Sequence, residues 1–175
     1  MTKVGWQAAL ESTGVLAGLA PFDPRIAGTF PLGLDLPGSD IDVLCHAPDG
    51  AAFADAVWDA LRDQPGFTLR QWSIRERPVI ASFVADGFPV EVFGQALPVV
   101  EQMGWRHFEA ERRLLDLGGK PLRAAVMAER SAGRKTEPAF ARVLGLAGEP
   151  YGAMLDMASR SDAELRAVLG AAGFC

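Results

Sequence analysis

The chain has few cysteines, few positive charges and no long apolar run, and each shortage excludes something. Its two cysteines, Cys45 and Cys175, are too few and too far apart for a disulfide framework or a zinc-ligand spacing. Cys45 sits in an apolar stretch and reads as a small buried hydrophobe. Cys175 ends the sequence and reads as a free thiol. Glu11 and Asp23 interrupt the early residues, so no basic-plus-apolar leader is expected. No stretch is apolar for long enough to cross a bilayer. These features predict a cytoplasmic protein with no membrane partner. With 17 Lys and Arg against 22 Asp and Glu, the net charge is −5, which argues against a basic coat and against a long nucleic acid as partner. Repeats and low-complexity segments are also lacking.

What is present is a folded composition. The chain has 175 residues, 49% of them hydrophobic and 22% charged, enough for one domain or two subdomains around a substantial core. Charge is unevenly spread. Residues 1–105 hold 6 basic and 13 acidic side chains, whereas residues 106–135 hold 8 basic and 4 acidic. An acidic front half before a basic middle suits carboxylates that hold metal facing cations that hold an anion. A solvated basic helix face explains the second half of that pattern equally well.

Periodicity predicts the elements. Trp6, Leu10, Leu16 and Leu19 fall near helical spacing, with Pro21 and Pro24 as stops. Residues 25–30 read as β-like and 31–39 as a Gly/Pro-rich loop. Ile41 to Leu44 reads as a strand entering a core. Asp49-Gly50 introduces a helix carrying Phe53, Val57 and Leu61, which Pro65-Gly66 ends. Strands are expected at 67–74, 78–84 and 88–93, the last two joined by a tight turn at Ala85-Asp86-Gly87. From Pro98 a long helix through Val100, Trp105, Phe108, Arg112 and Leu115 should run to Gly118-Gly119. Shorter helices follow at 121–131, 137–145, 150–158 and 162–171, the last opened by a Ser161-x-x-Glu164 capping box. The prediction is an α/β core over residues 1–96 and a helical C-terminal region over 97–175 packed on it.

The stretch that carries chemistry is Gly28-Thr29, ten residues, then Asp40-Ile41-Asp42-Val43. Two aspartates two apart on a strand share a face, so cations can bridge them while Ile41 and Val43 anchor the strand. Such hard oxygen ligands suit Mg²⁺, with Mn²⁺ as a substitute, and leave part of the metal's shell to phosphates. Gly28 lets backbone approach a phosphate, and Thr29 offers a hydroxyl and an N–H; Gly38 and Ser39 repeat that chemistry beside Asp40. Glu91 is a lone acid in the apolar strand Phe88-Pro-Val-Glu-Val-Phe, a costly position unless a cation or donor meets it. A metal shared with Asp40 and Asp42 would meet it, and so would an ion pair with Arg75 or Arg77.

Taken together, these residues resemble the nucleotidyltransferase superfamily that includes DNA polymerase β. Its pattern is Gly-Gly or Gly-Ser, a spacer, Asp-x-Asp, and an acid on a later strand. The likeness is nearest to an uncharacterised small bacterial family within it, with similar Gly-Thr and Pro-Gly-Ser-Asp-Ile-Asp runs, and extends to Trp105-Arg106-His107 and Lys135-Thr136-Glu137-Pro138. Thr29 stands where Ser is usual, and Leu32 where the small members have Arg. The resemblance implies a mixed sheet flanked by helices and Asp40, Asp42 and Glu91 as metal ligands. It implies transfer of a nucleoside monophosphate from a nucleoside triphosphate to an acceptor, with pyrophosphate released. Protein, RNA and small-molecule hydroxyls are all open as acceptors.

Other readings stay beside this one. Leu44 breaks the Asp-x-Asp-x-Thr/Val pattern of the haloacid-dehalogenase phosphatases. Glycosyltransferases with Asp-x-Asp use a larger nucleotide-sugar domain. A catalytically silent nucleotide-binding protein, or a partner in a toxin–antitoxin pair, would keep the same fold. His107 and Glu111, four apart, are expected as a hydrogen-bonded pair rather than a zinc site. Arg106, Arg112 and Lys135 are candidates for phosphate or for solvated surface. Trp58, Trp72 and Trp105 are expected in the core.

Overall fold

Alternation of apolar residues is what makes a strand bury one face, and three central strands here show it. Ile41, Val43 and Cys45 are fully buried, as are Ala81 and Val92, and Val79, Phe83, Ala85 and Val90 nearly so. The computed structural model describes residues 5–73 and 76–174. It divides the chain into two units, Met1–Pro31 with Pro37–Gln102, and Leu32–Leu36 with Met103–Cys175.

The first unit is built on a five-stranded mixed sheet. Its strands are β1 (Arg25–Ala27), β2 (Ile41–His46), β3 (Thr68–Gln71), β4 (Val79–Ala85) and β5 (Phe88–Gln95), in the order β1-β2-β5-β4-β3. Only β2 and β5 run parallel; the other pairs are antiparallel. Asp86 (φ 47°) and Gly87 (φ 88°) close the β4–β5 hairpin, with Ala85 opposite Phe88. Both central residues are left-handed, the backbone that matches the strands' twist. The crossover from β2 holds α4 (Gly50–Leu61), whose Phe53, Val57 and Leu61 are fully buried in one cluster with the sheet. Asp49 caps it, accepting from the Ala51 and Ala52 N–H groups at 3.0 and 3.1 Å.

The N-terminal helix is broken into α1 (Trp6–Ser12) and α2 (Val15–Gly18), followed by a 3₁₀ turn at Ala20–Phe22. Ser12 and Thr13 turn their hydroxyls back onto the Ala9 and Leu10 carbonyls at 2.8 and 2.6 Å, and Gly14 is left-handed. The β-like stretch is shorter than expected. It stops at Ala27, and a single helical turn, α3 (Thr29–Leu32), follows. Phe30 sinks beside Trp6 and Phe88, with ring centroids at 5.9 and 5.6 Å, and this anchors the turn.

The second unit is helical: α5 (Met103–Ser131), α6 (Thr136–Val143), α7 (Pro150–Ala158) and α8 (Asp162–Ala171). Its helix starts later than Pro98. Val99–Glu101 is a 3₁₀ turn, and Gln102 is extended because its buried amide donates to the Cys45 and Leu97 carbonyls at 2.9 and 3.0 Å. Non-helical Gly119 and Pro121 break α5, where the Gly118-Gly119 stop was expected. The capping box at Ser161 and Glu164 is formed. Among the described residues no helix is long and apolar enough to cross a membrane.

Two expectations about tryptophan fail. Trp58 is 51% and Trp72 48% exposed. Trp58 lies one residue off the Phe53–Val57–Leu61 stripe, about 100° around the helix, where its ring meets Phe67 edge-on. Trp72 follows the end of the edge strand β3. Cys175 lies outside the described residues.

Candidate functional site

Strand register, more than sequence distance, decides which acids meet. On β2, Ile41 and Val43 face the helices, so Asp42 points to the opposite face of the sheet. On β5, Val90 and Val92 face the helices, and Glu91 points away likewise. Asp42 and Glu91 are register partners across the parallel pair. Neighbouring strands lie about 4.8 Å apart, so the two carboxylates are within reach of one cation. Asp40 is exposed and immediately precedes β2.

On the other side of β2, Ala27 is the register partner of Asp42, which brings the following turn against the same carboxylate. Gly28 is left-handed (φ +76°), and a Cβ there would lie 2.0 Å from Asp42 Oδ2. The side of Gly28 where a Cβ would stand is thus taken up by the Asp42 carboxylate. Thr29 is half-buried and begins α3. Gly38 is left-handed and exposed on the loop, and Ser39 is half-buried next to Asp40. Lys135 belongs to the second unit, where it is the exposed N-cap residue of α6.

Glu91 does have a cationic neighbour, and it is one that sequence reasoning missed. Arg70, on β3, sets Nη2 3.2 Å from Glu91 Oε2 and Nη1 3.5 Å from Ser82 Oγ. Ser82 is the register partner of both Glu91 and Thr68, so Arg70 reaches back across β4 to the row that holds Glu91 and Asp42. Arg77, offered by the sequence as a partner, instead exchanges hydrogen bonds with Gln71 at 3.1 and 3.4 Å. Arg75 lies outside the described residues. Only the register of three strands could have pointed to Arg70.

The donor set suits a hard divalent cation: carboxylate oxygens on rigid neighbouring strands, with backbone close behind Asp42. Among the described residues no three His, Cys, Asp or Glu side chains are already gathered into a cage. Asp42 and Glu91 fit as paired ligands once Glu91 turns from Arg70, with Asp40 at the strand's entrance.

In the second unit, His107 and Glu111 do not pair. The His107 ring lies between Glu137 Oε1, 3.4 Å from Nδ1, and the Tyr151 carbonyl, 3.0 Å from Nε2. A carbonyl only accepts, so Nε2 is the donor in that contact. Glu111 is 4% exposed, and its Oε1 has no hydrogen-bond partner among the described residues. Burial first, and then the nearby Glu137 charge, hold its carboxyl well above the usual range, against the pull of Arg130. Arg130, also buried, donates from Nε to the Leu34 carbonyl at 2.8 Å and from Nη1 to Thr136 Oγ1. Arg112 is occupied by Glu109 and Asp116, and Arg106 by Ser159.

The fold is similar to nucleotidyltransferase folds of known structure. The chain is similar to the Cid1 poly(U) polymerase in its MgGTP-bound structure, with a TM-score of 0.56 at 17% identity over 85% of this chain and 46% of that one. It is similar to GLD-2 in a GLD-2/RNP-8 complex, with a TM-score of 0.54 at 12% identity over 77% and 53%. A cytoplasmic RNA terminal U-transferase gives 0.52 at 17% over 87% and 46%. The chain thus spans about half the length of these proteins. By sequence it belongs to the DUF4269 family, a domain of unknown function, whose model matches residues 8–157. No curated protein matches it by sequence.

Proposed function

We propose that the chain is a metal-dependent nucleotidyltransferase that moves a nucleoside monophosphate from a nucleoside triphosphate to an acceptor hydroxyl. The observation that carries this reading is the pairing of Asp42 with Glu91 in register, with Gly28 opened to admit the Asp42 carboxylate. Asp40, Asp42 and Glu91 are the ligands assigned to Mg²⁺ or Mn²⁺. Bound there, divalent cations would neutralise the phosphates and the entering and leaving oxygens. Thr29 and Ser39, with the backbone at Gly28 and Gly38, are assigned to the phosphates, and Lys135 is the candidate cation of the helical region. The acceptor oxygen bonds to the α-phosphorus, the bond to the bridging oxygen breaks, and pyrophosphate leaves. Glu91 is assigned the proton of the hydroxyl. Positioning and charge neutralisation supply most of the rate in such a transfer. Residues 1–96 form the catalytic core in this reading, and residues 97–175 the helical companion.

The test is to incubate the pure protein with each labelled nucleoside triphosphate, Mg²⁺ or Mn²⁺, and protein, RNA and small-molecule acceptors. Release of pyrophosphate with a labelled product is expected. Asp40→Asn and Asp42→Asn should abolish it while leaving the fold intact, since each conserves volume and removes a ligand charge. Activity surviving the double change sinks the metal mechanism. Nucleotide binding without pyrophosphate in any condition favours the silent, regulatory reading instead.

A further inference from the structure

Arg70 stands on the edge strand, 50% exposed at its side chain, and reaches across β4 to an acid that is 33% exposed on β5. Two forces hold it there. The guanidinium meets the Glu91 carboxylate at 3.2 Å, and the Ser82 hydroxyl supports the same group at 3.5 Å. Neither contact is deep. An ion pair this exposed is worth only a few tenths of a kcal/mol to about 1 kcal/mol, so a divalent cation displaces it readily. Yet Glu91 sits next to Asp42 in register, and two adjacent carboxylates repel each other when nothing positive is near. Among the described residues, Arg70 is the cation in contact with Glu91, and its charge offsets that repulsion.

We propose that Arg70 is the exchangeable counter-ion of Glu91, so that Arg70 and a divalent cation compete for one carboxylate. This rests on the metal reading of Asp42 and Glu91. Arg70 is a positioning residue here: it keeps the carboxylate oriented until metal takes over. Binding of the cation then releases an arginine beside the metal, on the strand edge, where it can meet an anionic group. The same sheet thereby offers a positive charge to the acid in one state and to a substrate in the other.

The experiment is a Mn²⁺ titration followed by electron paramagnetic resonance, on the wild-type chain, Arg70→Gln, Glu91→Gln and the double variant. Arg70→Gln should bind Mn²⁺ about two- to fivefold more tightly, the factor that corresponds to losing a competing pair of that strength. In the Glu91→Gln background the same change should do nothing, because no carboxylate is left to compete for. An equal gain in both backgrounds overturns the proposal, since Arg70 would then act only as a nearby positive charge. So does unchanged affinity in Arg70→Gln while Asp42→Asn abolishes binding, an outcome that leaves the metal reading standing. Failure of the wild type and Arg70→Gln alike to bind Mn²⁺ removes the metal reading and this proposal together. Should Arg70→Gln not fold, the side-chain Nε–H resonance of Arg70 in the wild type gives the answer. It should move on adding Mg²⁺, and a resonance indifferent to saturating Mg²⁺ overturns the exchange.

Discussion

Gly28 shows how much one missing atom can decide. Its backbone is left-handed, a conformation that costs an ordinary L-residue about 1–2 kcal/mol. A methyl group would also overlap the Asp42 carboxylate, at 2.0 Å from Oδ2. Gly28→Ala should lower stability by about 2 kcal/mol and, because Asp42 must swing aside, weaken Mn²⁺ binding as well. Denaturant midpoints together with a Mn²⁺ titration check this. An alanine variant as stable as the wild type, with metal affinity intact, would show that the turn relaxes without involving the carboxylate. Spacing alone drew attention to Gly28, but the group that needs the room is visible only once Ala27 is opposite Asp42.

At the scale of elements, the helical unit carries an unusual expense. Glu111 on α5 is buried near Glu137 on α6, and its carboxyl holds its proton well above the usual range. On unfolding it meets water and titrates near the ordinary value of about 4.3. The folded chain therefore binds more protons than the unfolded one above that pH. This contribution is fully present below about pH 4 and is lost as the pH rises toward the elevated folded value. Glu111→Gln, which keeps the shape and cannot ionise, should flatten this dependence and raise stability at neutral pH relative to the wild type. Urea midpoints between pH 4 and 8 measure it, and parallel curves for the two proteins would contradict the assignment. Helical spacing put His107 and Glu111 on one face, as seen. It could not reveal that α6 and α7 supply the nearer partners of His107, Glu137 and the Tyr151 carbonyl.

For the molecule as a whole, metal and nucleotide should be coupled. Adjacent carboxylates repel a triphosphate, and a cation between them reverses that sign, so each ligand should raise the other's affinity. A ligand that binds only the folded state stabilises it by about 2.7 kcal/mol at a hundredfold excess over its dissociation constant. Melting temperatures should rise more with nucleoside triphosphate plus Mg²⁺ than the two separate shifts would sum to. Glu91→Gln should shrink the excess without erasing it while Asp40 and Asp42 remain. Simple additivity in a melting assay would argue against a shared site.

Local chemistry was enough for much of this protein. Alternation placed β2, β4 and β5, the Asp86-Gly87 turn placed the hairpin, and Asp49 and Ser161 marked helix starts, because those signals act between residues near in sequence. The Gly28-Thr29 and Asp40-x-Asp42 spacing likewise singled out the candidate carboxylates from the sequence alone. Tertiary structure decided the rest. Which residue stands beside Glu91 depends on the register of β3, β4 and β5, so Arg70 rather than Arg77 reaches it from 21 positions away. The exposure of Trp58 and Trp72 depends on which helix face and which strand edge the rest of the unit leaves uncovered. A side chain's nearest neighbours along the chain are set by covalent geometry. Its neighbours across a sheet or between helices exist only after the elements have packed, and those neighbours set charge balance at Glu91 and Glu111.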